Sequence, residues 1–475
     1  MIDMTKLVGK IPQGALNIIR IIQYSGYEAY LVGGCVRDLI LGVQPNDWDI
    51  CSNATPEQII KILRHNKIKY HTVGIEFGTV TALFKYQTVI NDAEVVDEIE
   101  EYEITTYRAE TTYSDGRHPD GVNFITNIVE DLKRRDFTIN AIAYDPINNI
   151  VVDEFGGQSD IENKLIRAVG NPADRFDEDS LRILRALRFA LRLGYKIERE
   201  TSLCMHRQRG LLVNISKERV TAELEKMLTC GSDIKTYFME YMDIIGTIIP
   251  ELIHCFYFDQ NNKYHKHDVY EHILNVVDAC KTRKFEIKLA ALLHDIGKPK
   301  TYTVDKDGWG HFYGHPDVSW EISEKVLTQD LRITREQLDR VLALVKYHDM
   351  HISDTKASMK RALNKHGEEY LKDWFILKQA DMDDHVYPNK NWKFYMNIPK
   401  LNETMQMILD ENACFSLKDL KLNGKDLMAE LGIKPGKQIG LILNTLLNEV
   451  MDEKIDNDKE VLLSRAREIL KSVGV

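Results

Sequence analysis

Cysteine, long apolar runs and low-complexity segments are all scarce in this sequence, and each shortage excludes a class of protein. Seven cysteines are scattered over 475 residues, at positions 35, 51, 204, 230, 255, 280 and 414, and none forms a C-x-x-C pair. That pattern argues against a disulfide scaffold or a cysteine zinc site and for a reducing cytoplasm. No apolar run reaches the roughly 18 residues of a membrane span. Segment 1–23 spaces its apolar residues helically, unlike the single apolar block of a signal peptide. With 44% apolar and 28% charged residues the chain has globular composition. At roughly 150 residues per domain, its length suggests about three domains.

Basic charge is also in short supply. Lys and Arg number 62 against 73 Asp and Glu, a net charge of −11. Taken alone, this argues against a general nucleic-acid binder, but the charge is unevenly placed. Residues 91–103 carry seven acidic groups and no Lys or Arg, and read as a solvated insertion between strands. Residues 164–219 carry 13 Lys/Arg against 7 Asp/Glu. Such a basic stripe can bind phosphates locally within an acidic chain.

The first 150 residues mix strand and helix patterns. Residues 1–25 read as an amphipathic helix, 30–34 as a buried strand ending in glycines, and 47–51 as strand-like. Thr55-Pro56-Glu57-Gln58 has the signature of a capped helix start. Residues 71–86 read as a hairpin pair and 103–108 as another strand. From about 174 the pattern is helical almost throughout, most clearly over Leu181–Leu193. The predicted class is therefore α+β: a head with a mixed sheet, then an all-helical remainder.

Gly33-Gly34-Cys35-Val36-Arg37-Asp38 closes a strand and opens a helix. Paired glycines let backbone N–H groups approach an anion, and Arg37 can meet a phosphate or pair with Asp38. Asp47-Trp48-Asp49 follows. On a strand, the two carboxylates point to one face, where they repel unless a cation lies between them. Mg²⁺ is held by one or two carboxylates plus substrate phosphates. This combination resembles the head of the DNA polymerase β superfamily of nucleotidyltransferases. More narrowly, it resembles the class II tRNA nucleotidyltransferases and bacterial poly(A) polymerases. Residues 134–141, RRDFTINA, are similar to that family's second motif, and the resemblance implies that Arg135 contacts the incoming nucleotide. Glu103 is a candidate third metal carboxylate. Tyr113–Val122 resembles the flexible loop of enzymes that add the terminal A, with His118 where the family usually has Arg.

Glu178-Asp179-x-x-Arg182 resembles the family's nucleotide-reading motif. Placed on a helix, Asp179 and Arg182 share a face at i, i+3, and Arg182, Arg185, Arg188 and Arg192 form one stripe. Such a stripe repels itself unless anions or bases neutralise it. A carboxylate accepts from an exocyclic amine while a guanidinium donates to ring acceptors. Cytosine and adenine both present that edge; uracil and guanine present a carbonyl that would leave buried acceptors unpaired. The pair predicts CTP and ATP as donors, with Arg185 and Arg188 supporting nucleotide or phosphate. Residues 216–224 resemble the last neck motif, read as mostly structural with Ser216 as N-cap.

A second constellation comprises His272, His294, Asp295 and Asp381. Together with LAALLHDIGKP (289–299), these residues resemble the HD phosphohydrolase superfamily. Imidazole plus carboxylate suits Mn, Fe, Co, Ni or Mg. His315 and His348 are further ligand candidates, each equally readable as a core histidine. Residues 423–450 resemble the tail of Gram-positive-type tRNA nucleotidyltransferases, where Lys421, Lys425, Lys434 and Lys437 can meet tRNA phosphates or water.

The expected organisation is a nucleotidyltransferase head (1–150), a helical neck (151–232), an HD domain (233–400) and a helical tail (401–475). The expected activity is Mg²⁺-dependent, template-independent addition and repair of the 3′ CCA of tRNA from CTP and ATP. No DNA or membrane partner is expected. A second, transition-metal phosphohydrolase activity on RNA-end phosphates is expected of the HD domain. A poly(A) polymerase, a CC- or A-adding enzyme, and an HD phosphohydrolase or nucleotide sensor with a binding-only head are the alternatives.

Overall fold

The computed structural model describes residues 4–90, 94–110, 122–231, 233–386 and 395–472. The loop expected over 113–122 lies, apart from Val122, outside the described residues. The chain divides into two compact units. One comprises 1–232 with 240–250, the other 233–239 with 251–475. Among the described residues no helix is long and apolar enough to cross a membrane.

The first unit is built on a seven-stranded mixed sheet. In chain order the strands are β1 (Ala29–Val32), β2 (Ile50–Ser52), β3 (Lys69–His71), β4 (Thr79–Ile90), β5 (Glu94–Thr106), β6 (Ala143–Asp145) and β7 (Ile150–Val152). In space the order is β3-β4-β5-β2-β1-β6-β7. β1 runs antiparallel to β2 and β6, while β2 and β5 run parallel. Helices α1 (Gln13–Tyr24), α2 (Gly34–Ile40) and α3 (Pro56–His65) accompany it. At α3 the predicted capping box is present: Thr55 and Gln58 satisfy each other's backbone N–H, with Pro56 in the first turn.

Three expectations for this unit change. The amphipathic pattern over 1–25 splits into a 3₁₀ turn, Met4–Lys10, and α1, because Pro12 lacks the N–H that a continuous helix needs. The hairpin expected over 71–86 is present with shifted bounds: β3 pairs antiparallel with β4, and a 3₁₀ turn at Ile75–Phe77 lies between them. The acidic run is not an insertion: β5 pairs with β4 from Glu94 to Thr105. Its residues alternate, with Tyr102, Ile104 and Thr106 buried and Glu101 and Glu103 exposed. From Glu101 on, one face therefore joins the core while Glu101 and Glu103 stay in water.

Beyond the sheet come α4 (Pro172–Glu178), α5 (Leu181–Leu193) and α6 (Lys217–Thr229). α5 has the predicted bounds and ends at Gly194, φ +65, a left-handed cap. Its Ile183, Leu184, Leu187 and Leu191 are fully buried. Each such side chain contributes roughly 1.5–3 kcal/mol.

The described part of the second unit is helical apart from one two-stranded ribbon, Thr303–Val304 against Gly310–His311. α7 (Val269–Ala279), α8 (Phe285–Leu293), α9 (His315–Lys325), α10 (Arg335–Tyr347) and α11 (Glu368–Asp383) bring the histidines together. α12 (Gly424–Leu431), α13 (Lys437–Met451) and α14 (Lys459–Ser472) close over a core containing Leu422, Leu446, Leu462 and Ala466.

Candidate functional site

In the first unit, β1 delivers the chain to Gly33, whose φ of +78 suits glycine. A Cβ there would lie 3.1 Å from Arg135 Nη1 and 4.0 Å from Asp49 Oδ2. Asp47 and Asp49 sit in an extended lead-in to β2 rather than on the strand itself. Sheet pairing nonetheless reaches them, since Val32 N–H donates to the Asp49 carbonyl at 3.0 Å. Trp48 is buried between them, and both aspartates line a cavity of about 780 Å³. Parallel pairing of Ile50 with Ile104 sets Glu103 beside Asp49, and Glu103 lines the same cavity.

Burial pushes the Asp49 carboxyl up; Arg135 pulls it down, and Glu103 and Asp47 push it up again, for a net rise. Among the described residues no Lys or Arg is ion-paired to Asp47 or Asp49. The trio is thus a carboxylate set short of positive charge, which fits a divalent cation.

The opposite wall is arginine-rich. Arg37 is buried and donates to Asp38 Oδ1 at 2.8 Å and to Asn140 Oδ1 at 2.6 Å. Arg135 Nη2 reaches Asp131 Oδ2 at 3.3 Å, while its buried Nε has no hydrogen-bond partner. Arg185 Nε donates to Asp136 Oδ2 at 2.9 Å, and Arg188 Nε lies 2.7 Å from Glu223 Oε2. Phe189 packs beneath three guanidiniums: Arg37, Arg185 and Arg188 lie 5.3, 5.6 and 4.3 Å from its ring centre. Gly34, Arg37, Arg135, Asp179, Arg182, Arg185 and Arg188 all line the cavity with the carboxylates.

The nucleotide-reading motif is not arranged as its spacing suggested. Asp179 has extended backbone, φ −143 and ψ 98, and caps the end of α4, whereas Arg182 lies in the first turn of α5. The two residues flank a break between helices instead of sharing a helix face. Arg182 donates to Glu178 Oε2 at 2.8 Å and to the Arg134 carbonyl at 2.9 Å. Asp179 is held by Arg219, whose Nη2 lies 3.0 and 3.3 Å from its two oxygens. Ser216 occupies the N-cap position of α6 without a side-chain capping bond. Sequence reasoning missed the contact of Arg219 with Asp179, although Arg219 stood in a quoted motif. It also missed Phe189, which reads simply as an apolar position on α5.

In the second unit the four predicted residues meet, and His315 and His348 join them. His272 Nε2 lies 3.2 Å from Asp295 Oδ2, 3.4 Å from Asp381 Oδ1 and 3.4 Å from His294 Nε2. His272, His294, Asp295 and Asp381 are all buried. Burial pulls His272 down, but Asp295, Asp381 and Asp384 outweigh it and raise it to about 10. The same surroundings hold the Asp295 and Asp381 carboxyls well below the ordinary range against the push of burial: His294 and Lys298 at Asp295, Lys378 and His385 at Asp381. The ligand atoms of His272, His294 and Asp381 lie close enough together to hold a metal ion, as do those of Asp295, His315 and His348. Lys298 and Lys378, 2.6 Å and 3.0 Å from Asp295 and Asp381, were not anticipated from the sequence.

Comparison with known proteins bears on both units. Residues 29–167 match the family described as the poly A polymerase head domain, and 324–466 match tRNA nucleotidyltransferase domain 2. The CCA-adding enzyme of Ligilactobacillus salivarius is 34% identical over 459 residues, covering 96% of each chain. That of Bacillus subtilis is 32% identical, covering 97% of this chain and 98% of its own. Among solved structures, the Bacillus stearothermophilus CCA-adding enzyme in complex with CTP aligns with a TM-score of 0.66 at 25% identity. That alignment covers 97% of this chain and 98% of the other. Family members of this kind use a divalent metal, and this chain has carboxylate and histidine groups able to hold one. With relatives above 30% identity aligned along nearly its whole length, the chain belongs to the family of CCA-adding enzymes.

Proposed function

We propose that this protein adds and repairs the 3′-terminal CCA of tRNA in the cytoplasm, using CTP and ATP without a nucleic-acid template and releasing pyrophosphate. The observation carrying this reading is one cavity with Asp47, Asp49 and Glu103 among its lining and Asp179, Arg182, Arg185 and Arg188 in the same wall set. Asp47 and Asp49, with Glu103 as a third carboxylate, would hold Mg²⁺. When bound, that ion lowers the pKa of the tRNA 3′-hydroxyl and neutralises charge on the triphosphate. Gly34 and Arg37 border the phosphates, and the partnerless Nε of Arg135 is a donor ready for the nucleotide. Asp179 accepts from the exocyclic amine of C or A. A carboxylate has about four lone-pair sites, so the amine and Arg219 can share it. Arg182 donates to the neighbouring ring acceptor, and Arg185 and Arg188 support nucleotide or phosphate.

On this reading 1–150 is the head, 151–232 the neck, 233–400 an HD domain and 401–475 a tail. The division between compact units near residue 232 supports the central boundary. Lys421, Lys425, Lys434 and Lys437 are exposed, as tRNA phosphate contacts require. The test is incubation of the purified chain with tRNA lacking CCA and with each nucleoside triphosphate in turn. Incorporation of C, C and then A, with U and G refused, is expected. Runs of A alone would indicate a poly(A) polymerase instead.

A second reading, additional to the first, concerns the buried histidine–aspartate cluster. His272, His294, Asp295 and Asp381 would hold a divalent transition ion (Mn, Ni, Co or Fe) for phosphoester hydrolysis, supported by the mutual proximity of their ligand atoms. A phosphoesterase assay with each metal supplied separately tests it.

A further inference from the structure

Phe189 on α5 is buried, yet charge surrounds much of its ring. It meets Phe137 edge to face, with ring centres 5.7 Å apart and planes at 78°. The guanidiniums of Arg37, Arg185 and Arg188 gather around it, and all four residues line the carboxylate cavity. Arg185 lies one helical turn before Phe189, Arg188 is its chain neighbour, and Arg37 comes from α2. Arg37 also ties the trio to the glycine turn, since its Nη2 lies 3.6 Å from where a Cβ on Gly34 would stand.

Three cations in one corner repel, and each has its own carboxylate: Asp38 for Arg37, Asp136 for Arg185 and Glu223 for Arg188. The third pairing is incomplete. Arg188 Nε is 2.7 Å from Glu223 Oε2, but neither atom forms an aligned hydrogen bond. Burial pulls the Arg188 guanidinium down, and Glu223 does not restore it. Arg188 is also the guanidinium nearest the ring, at 4.3 Å. The negative face of an aromatic ring supplies part of the missing attraction. A carboxylate holds a guanidinium by occupying its donors, whereas a ring holds it by its face and leaves N–H groups free for an anion.

We propose that Phe189 is a positioning residue for nucleotide binding: its ring holds Arg37, Arg185 and Arg188 as one set with N–H donors left for the incoming nucleotide. The proposal rests on the nucleotidyltransferase reading above and adds a residue to it. A guanidinium ordered before binding loses less side-chain freedom when the nucleotide arrives. The ring therefore acts on affinity, while the chemical step stays with the carboxylates across the cavity.

The experiment replaces Phe189 of the full-length chain by mono-, di- and trifluorinated phenylalanine. Each added fluorine drains negative charge from the ring face with little change of shape, which separates the ring's electrostatics from its packing. CTP affinity is measured by calorimetry without tRNA, and addition kinetics with tRNA lacking CCA. Affinity should fall stepwise, by about tenfold for the trifluorinated ring, as three cation–π contacts weaken. KM should rise in parallel while kcat stays nearly level, as when ground state and transition state lose binding equally. Phe189→Leu, apolar but without a ring, should lose at least as much affinity. Circular dichroism identifies a Phe189→Leu chain that has not folded, and the fluorinated series then decides. Equal CTP affinity across the fluorinated series overturns the proposal even where Phe189→Leu is impaired, because the ring then serves only as a shape in the core. A wild type that binds CTP with the graded fluorine response but incorporates neither C nor A refutes CCA addition instead and leaves the positioning role standing.

Discussion

Replacing Asp136 by Asn tests whether the arginine wall is held by charge. Burial alone would raise the Asp136 carboxyl, but the Arg185 guanidinium, then the Asn140 amide, and then Arg182 outweigh it and bring it down to about 2. The unfolded value is near 3.8, and each unit is about 1.4 kcal/mol, so the charged form contributes about 2 kcal/mol to the fold. Because the folded value is depressed, this contribution is present above about pH 4 and is lost as pH falls towards 2. Asn keeps Oδ1 for the Phe137 N–H and the Asn140 amide but turns an NH₂ group towards Arg185. The Arg185 side chain is 35% exposed, so water compensates part of its lost partner and adds little to the cost. Because the chain divides into two compact units, a single global unfolding transition is not assumed, and the assay is hydrogen exchange resolved to peptides of Leu181–Leu193. At pH 7 the variant should exchange about 30-fold faster there, by opening about 2 kcal/mol more easily. The difference from wild type should shrink below pH 4, after correction for intrinsic rates. Equal protection at pH 7, or a gap unchanged at pH 2.5, would refute the reasoning.

Asp47→Ala or Asp49→Ala should abolish nucleotide addition while tRNA binding persists; substantial incorporation at saturating Mg²⁺ would remove the metal assignment. Asp179→Ala should let UTP or GTP compete with CTP, because it deletes the group that penalises a carbonyl at that edge. Equal rate loss for all nucleotides, with UTP still refused, would make Asp179 a positioning residue. His294→Ala should eliminate metal-dependent phosphoester hydrolysis with CCA addition nearly unchanged. Parallel loss of both activities, measured on the same preparation, would contradict separate chemistry.

Much of this protein was legible from local chemistry. Thr55 to Gln58 specified a helix start because the capping bonds lie within four residues, and Leu181–Leu193 declared its helix through periodicity. The carboxylates Asp47 and Asp49 could be paired on paper because alternation in extended chain is a local rule. What sequence spacing could not decide was where a helix breaks. Asp179 and Arg182 looked like neighbours on one helix face, yet Asp179 ends one helix and answers to Arg219, forty residues on. The acidic run looked like a solvated insertion, but pairing with β4 made it a strand with one buried face. His315 and His348 were as readable as core histidines as they were as ligands. Only packing brings their Nε2 atoms within 3.1 Å of each other and sets Asp295 between two histidine pairs. Capping and periodicity act over a few residues and are written in the local sequence. Partner choice among distant charged groups depends on which surfaces the fold presses together, and that is decided by the tertiary structure.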